Sequence, residues 1–183
     1  MAPGNALTEI GPTSWEEVFS IWRNGEANIP RWVDHYERRG FDSWDEWRKS
    51  TIQDLKAEKL NWKIYRLHDS QKAVPHFYGG PFRAWMQKYY GGSPIAPFSE
   101  IIEHEEVQKS QLVREMIENF PKKTTLIGLL ADDKVVILEG LHRCSALAVA
   151  AQKGMKIKTE AYILLAEFSQ EIPIMGQVDS PTA

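Results

Sequence analysis

The segment Val135-Val136-Ile137-Leu138-Glu139-Gly140-Leu141-His142-Arg143-Cys144-Ser145-Ala146-Leu147 carries an apolar run into a glycine, a His-Arg pair and a helix-forming stretch. Residues of these types in this order suit an anion site. A helix N-terminus presents free N–H groups and a partial positive charge. Gly140 permits unusual backbone angles and lets the chain approach a ligand closely. Arg143 brings a planar, permanently charged fork that matches phosphate oxygens, and His142 adds one more hydrogen-bonding group. The same residues also suit an ordinary strand-to-helix turn, in which His142 and Arg143 cap the helix or face solvent. Short glycine motifs do not separate the two readings by themselves.

The elements that must hold this turn can be read from periodicity. Thr124–Leu130 and Val135–Leu138 are apolar runs joined through Ala131-Asp132-Asp133-Lys134, which predicts a hairpin. A helix follows from Cys144 to Lys153, stopped by Gly154, and a closing strand over 156–165. Upstream, Phe98, Ile101 and Ile102 suggest a strand at 98–103, and the apolar positions from Val107 to Phe120 predict a helix over 106–119. The first half is different. Capping boxes at Ser14-Glu17 and Ser43-Glu46, and Pro30 with Gly40, predict three helices. A short strand is expected around Leu60–Ile64, and a short helix over 82–90. Val74–Phe82, with two prolines and a Gly pair, reads as an aromatic loop that packs the two halves together or closes over a ligand. Residues 1–13 read as a flexible lead-in, 14–93 as a helical Trp-rich segment, 94–168 as the module carrying the turn, and 169–183 as a loose tail.

Composition bounds the partners. The chain has 183 residues, 43% of them hydrophobic, a net charge of −3 and one cysteine. That is enough apolar content for a packed core, and a single Cys excludes an internal disulfide framework and a Cys-based zinc cluster. No apolar run approaches the roughly 18 residues of a membrane span, and the first residues lack a secretory signal pattern, so a cytoplasmic protein is expected. Residues 1–93 carry 13 Lys/Arg against 12 Asp/Glu, and residues 94–183 carry 9 against 13. Neither half is the basic body of a duplex-DNA binder. All seven tryptophans lie at or before Trp85. Most fall on helical faces beside other apolar residues, where a core role is expected.

The stretch Glu139-Gly140-Leu141-His142-Arg143-Cys144-Ser145-Ala146-Leu147 resembles the signature turn of the ParB/sulfiredoxin superfamily, and the order of elements over about residues 95–168 resembles it too. The resemblance implies an α+β fold with a small mixed sheet, extended here by the N-terminal helical, Trp-rich segment. It implies nucleotide phosphates held by Gly140, His142 and Arg143, with Lys109 at a position where the family often places a phosphate-binding Lys and Glu139 directly before the glycine. Sulfiredoxins carry a reactive Cys where this chain has Leu141, and Cys144 lies beyond the Arg, so reductase chemistry is not expected. The helix-turn-helix region of partition ParB proteins has no counterpart after residue 168. In spirit the chain most resembles the free serine kinase branch, with which nothing in its length or turn conflicts, and that resemblance implies an ATP- or ADP-dependent phosphotransferase, with Mg²⁺, acting on a small hydroxyl metabolite. Phosphoryl transfer needs a base or metal ligand. The candidates are Glu103, Glu105 and Glu106, in the acidic run Glu100–Glu106, and Glu139, with Glu103 and Glu106 taken as the catalytic pair, although acidic residues at a helix start also favour its dipole. His104 has no metal-ligand spacing, and no protein metal site is expected. The alternatives are a non-catalytic, nucleotide-switched module for a protein or nucleic-acid partner, and a turn that uses Arg143 for another phosphorylated or acidic ligand.

Overall fold

Alternation along the central strands decides which buried residues face which layer. In a computed structural model that describes residues 6–176, strand β7 (Glu160–Glu167) turns Ala161, Ile163 and Leu165 to one side and Leu164 and Ala166 to the other. Strand β2 (Trp62–Leu67) likewise divides Tyr65 and Leu67 from Trp62 and Ile64. Both faces are therefore apolar, and helices must cover both. The chain is a mixed α/β structure with a seven-stranded sheet in the order β1-β2-β7-β5-β6-β3-β4. Strands β7 and β5 (Lys123–Ala131) run parallel, as do β6 (Lys134–Glu139) and β3 (Tyr78–Gly79); the other neighbours are antiparallel.

One face is covered by the first three helices, α1 (Trp15–Glu26), α2 (Pro30–Glu37) and α3 (Trp44–Ile52). Val18, Phe19, Trp22, Trp44, Trp47 and Trp62 fill that core. The starts of these helices follow the sequence. Ser14 and Glu17 form a reciprocal capping box, Ser43 accepts from the Glu46 amide, and Pro30 occupies the first turn of α2. The other face is covered by α4 (Ser70–Ala73), α5 (Arg83–Tyr89), α6 (Phe98–Ile101), α7 (Glu105–Gln108), α8 (Gln111–Glu118) and α9 (Leu141–Gln152). No described helix is long and apolar enough to cross a membrane.

Four expectations are corrected. Within the lead-in, Leu7–Thr13 is not flexible but forms β1, an edge strand paired antiparallel to β2 with a bulge between Glu9 and Gly11. Gly11 and Pro12 hide it in the sequence, yet an edge strand tolerates them. The strand expected around Leu60–Ile64 is present as β2, so a purely helical description of 14–93 is too narrow, and β2 and β3 place both halves on one sheet. The strand expected at 98–103 is helix α6, preceded by the short strand β4 (Ala96–Pro97): Phe98, Ile101 and Ile102 lie at helical spacing on a buried face. The helix expected over 106–119 breaks after Lys109, where the Ser110 side chain caps α8.

The aromatic loop packs. Phe77 is buried, Gly79 pairs with both β4 and β6, and the Gly80 amide donates to the Ile137 carbonyl at 2.9 Å. The tail is ordered as far as it is described. Met175 is buried, its amide donates to the Pro81 carbonyl, and its carbonyl accepts from the Arg83 amide. Residues 1–5 of the lead-in and 177–183 of the tail lie outside the described residues.

Candidate functional site

The site forms where β6 ends and α9 begins. Strand β6 pairs with β5 through Ile127 and Glu139, so the sheet fixes the position of the Glu139 carboxylate. Gly140 then turns the chain with φ +101, in the left-handed region that side chains rarely adopt. A Cβ here would also lie 2.4 Å from Leu126 Cδ2, so a side chain would force that buried leucine to shift in addition to straining the backbone. The Gly140 carbonyl accepts the first helical bond from the Cys144 amide at 2.8 Å, and no side chain caps the helix. The preceding N–H groups have no partner within the helix.

Arg143 is tied into the fold. Its Nη2 donates to both oxygens of Glu139, and its Nη1 donates to Thr124 Oγ1 at 2.7 Å and the Thr125 carbonyl at 3.0 Å. One guanidinium thus joins β5, β6 and α9. Burial pushes the Glu139 carboxyl above the usual carboxylate range, against the pull of Arg143. Burial, with Arg31 nearby, pushes His142 down to about 4, so it is neutral near pH 7, and its ring meets Trp85 edge-on at 5.4 Å. Cys144 is fully buried and its thiol is pushed up by burial, which makes it a packing residue and not a nucleophile.

A cavity of about 580 Å³ opens in front of this turn. Its opposite wall comes from the Trp-rich half, from the end of α1 and from α2 and α3, with Arg83 and Trp85 of α5 at its side. Among the described residues, six Arg or Lys side chains and two Glu line it. Both carboxylates are taken. Glu139 holds Arg143, and Glu26 accepts from Arg48 Nη2 and from Trp44 Nε1. Arg31, Arg83 and Lys123 remain in the wall as cations in excess of the lining carboxylates. The two ion pairs are neighbours: a Cβ at Gly25 would lie 3.8 Å from Glu139 Oε1, and the Glu26 charge contributes to the raised Glu139 carboxyl.

The structure brings together Glu139, Gly140, His142 and Arg143 but not the remaining candidates. Glu103 and Glu106 are exposed, in and after the turn that separates α6 from α7. Glu103 accepts from Gln152, at the far end of α9 from the turn, and Glu106 pairs with Lys88 at 2.6 Å. Lys109 pairs with Glu105 in solvent. None of the three lines the cavity. The reason is the replacement of the strand at 98–103 by α6, which carries the acidic run away from the sheet end. For Mg²⁺ the protein donors do not fit: no group of three or more His, Cys, Asp or Glu could hold a metal among the described residues, and both cavity carboxylates face an arginine.

Sequence reading missed Glu26, Arg31, Arg48, Arg83 and Lys123. A signal for two of them existed. Glu26 continues the apolar face of α1 one turn beyond Trp22, and Arg48 lies one turn beyond Trp44 on the face of α3. A charge on an apolar stripe is a buried charge that needs a partner. No family model, curated protein or solved structure matches the chain.

Proposed function

We propose that the cavity binds a nucleotide, ATP or ADP, in a protein of ParB/sulfiredoxin type, with the phosphates at the Gly140–Arg143 turn and the base toward the Trp-rich wall. The observation that carries this reading is the charge imbalance of the lining. Both carboxylates are neutralised by an arginine, while Arg31, Arg83 and Lys123 add positive charge to the lining, Arg83 giving its Nε to the Gly176 carbonyl, and an uncapped 12-residue helix begins at the same wall. Such an environment favours a polyanion. The succession β5, β6, turn, α9, β7 supports the superfamily reading, and helix α6 in place of a strand departs from it. In the catalytic form of the proposal, the terminal phosphoryl group passes to the hydroxyl of a small metabolite, the hydroxyl proton is lost to a base, and the nucleotide leaves one phosphate shorter.

A specific observation favours a second reading, binding without turnover, in which nucleotide switches a surface for a protein or nucleic-acid partner. Among the described residues the carboxylates in the lining are Glu26 and Glu139, each locked to an arginine, so neither is a ready base for an acceptor hydroxyl. Titration calorimetry with ATP, ADP and CTP, with and without Mg²⁺, tests the shared claim. Salt-sensitive binding of at least one nucleotide is expected; a folded protein that binds none overturns both readings. Release of phosphate, or its transfer to a hydroxyl substrate, then separates enzyme from switch.

A further inference from the structure

The Trp-rich wall contains a guanidinium in an unusual setting. Arg48 is only 4% exposed. Its Cζ lies 4.2 Å from the ring of Trp47, 4.8 Å from Trp22, and 5.6 Å from both Trp32 and Trp44. These π faces stabilise the charge without accepting hydrogen bonds in the guanidinium plane. Glu26 takes Nη2, but Nε has no acceptor. Trp22 Nε1 has none either, and these two are the only buried side-chain nitrogens or oxygens without a partner among the described residues. Both are donors and both belong to one cage: Arg48 lines the cavity facing the turn, and Trp22 packs against Arg48 without lining the cavity itself. A buried donor without an acceptor is costly, and its persistence calls for an explanation. Arg31, exposed, sits 5.5 Å from the same Trp32 ring and lines the same cavity.

We propose that Arg48, with Trp22 and Arg31 beside it, forms a second oxyanion subsite on the Trp-rich wall, separate from the subsite at the Gly140 turn. The chemistry it recognises is a phosphate or carboxylate oxygen. The oxygen enters at Arg48 Nε on the cavity lining and reaches past it to Trp22 Nε1 in the same cage, and Arg31 closes over it from the solvent side. The cage holds the guanidinium plane fixed, so the donors are oriented before the ligand arrives. The phosphate could belong to the ligand at the turn, and the carboxylate to a separate small acid. This subsite does not depend on the ligand at the turn being a nucleotide.

The test uses the full chain and simple anions. Pyrophosphate and malonate are titrated separately by calorimetry, with tryptophan emission as the second readout because the subsite is walled by indoles. Arg48→Lys keeps the charge but removes the fork and its Nε donor; it is expected to weaken the anion that binds by about tenfold. Arg31→Gln and Trp22→Phe are expected to weaken it by about threefold each. Arg31 is exposed, so its variant keeps the test informative if Arg48→Lys fails to fold. Trp22→Phe removes the donor together with the five-membered ring of a buried indole, so a lower melting temperature is expected from the cavity, and its anion binding is read at a temperature where the variant is folded. Binding of pyrophosphate alone assigns the subsite to phosphate, of malonate alone to a carboxylate, and of both to a general oxyanion site. The proposal is overturned if neither anion binds, or if Arg31→Gln and Trp22→Phe bind them as the unaltered chain does. In that case the two donors are met by buried water. Anion binding that survives in the absence of any nucleotide affinity would sink the nucleotide reading and leave this one standing.

Discussion

Two Glu–Arg pairs face the same cavity, and they are built differently. Arg143 spends its Nη groups on Glu139, Thr124 and the Thr125 carbonyl, so its donors join three elements of the sheet framework. Arg48 spends one nitrogen on Glu26 and otherwise rests against four indoles, with Nε unmet. The motif that looks most like a phosphate fork is thus the more structural of the two. The arginine that looks like core filling has donors to spare. An arginine's role is set by what its N–H groups meet, and a local sequence motif does not reveal that.

The largest effect should come from breaking the structural pair. Arg143→Ala leaves Glu139 buried with its charge unpaired and removes two further hydrogen bonds, so a loss of about 3–5 kcal/mol is expected by denaturant unfolding. On sequence grounds alone the same substitution should remove phosphate binding and spare the fold. A variant with unchanged stability would show that Arg143 is free for a ligand after all. The pH dependence carries the sign of the argument. Burial raises the Glu139 carboxyl, so the folded state prefers it protonated, and its contribution is fully present only at low pH and fades as pH rises through the raised value. Without Arg143 this rise is larger. The variant should therefore recover stability, relative to the unaltered chain, as pH falls from 7 into the acid range.

The second effect concerns the glycine between the two walls. Gly140→Ala must adopt φ +101 and place a methyl group 2.4 Å from Leu126 Cδ2, where a cost of about 3 kcal/mol is expected from the two penalties together. Unfolding measurements should show it, and anion binding should weaken because the first turn of α9 shifts. If alanine is accommodated at less than about 1 kcal/mol, the turn is softer than its contacts indicate.

His142 gives a third, smaller effect of opposite pH sign to Glu139. Its folded value is pushed down to about 4, from an ordinary value of 6.5. The neutral form is favoured in the folded state, so its contribution is fully present above pH 6.5 and is lost as pH falls through about 4. The unaltered chain therefore loses stability on acidification through this range, a sensitivity that His142→Gln should remove. Proton NMR of the His142 ring should show no titration between pH 8 and 5. A midpoint near 6.5 would mean that the ring is solvated and does not pack on Trp85.

Much of the turn was legible because its determinants are local. The hairpin of β5 and β6 needs only alternation and an aspartate-rich connection, and Asp132 does adopt a positive φ of 54. Gly140 is read from its neighbours, and the helix caps at Ser14 and Ser43 from residues three positions apart. What was not legible depends on distant partners. Leu7–Thr13 is a strand only because Trp62–Leu67 lies beside it. The cavity exists only because α1–α3 fold onto the face opposite α9, which the tryptophan clustering did not by itself reveal. Glu26 and Arg48 lie 22 positions apart, and only the fold makes them a pair. The acidic run misled for the opposite reason: its pattern was local and clear, but the spacing of Phe98, Ile101 and Ile102 fits a helix as well as a strand.

The smallest effect should come from that acidic run, and it sharpens the comparison from outside. Glu106 meets Lys88 with both side chains more than half exposed, at 63% and 55%. Exposed pairs contribute little because water and salt screen them and two long side chains must be ordered. Glu106→Gln should change stability by less than about 0.5 kcal/mol, and Glu103→Gln, which keeps a hydrogen-bonding partner for Gln152, by no more. Neither should alter anion or nucleotide affinity, since neither side chain lines the cavity. Calorimetry on the two variants is the check. A tenfold loss of nucleotide affinity or turnover in either one would mean that α6 and α7 swing the run toward the turn when ligand binds. The two Glu–Arg pairs would then be the resting half of a larger site.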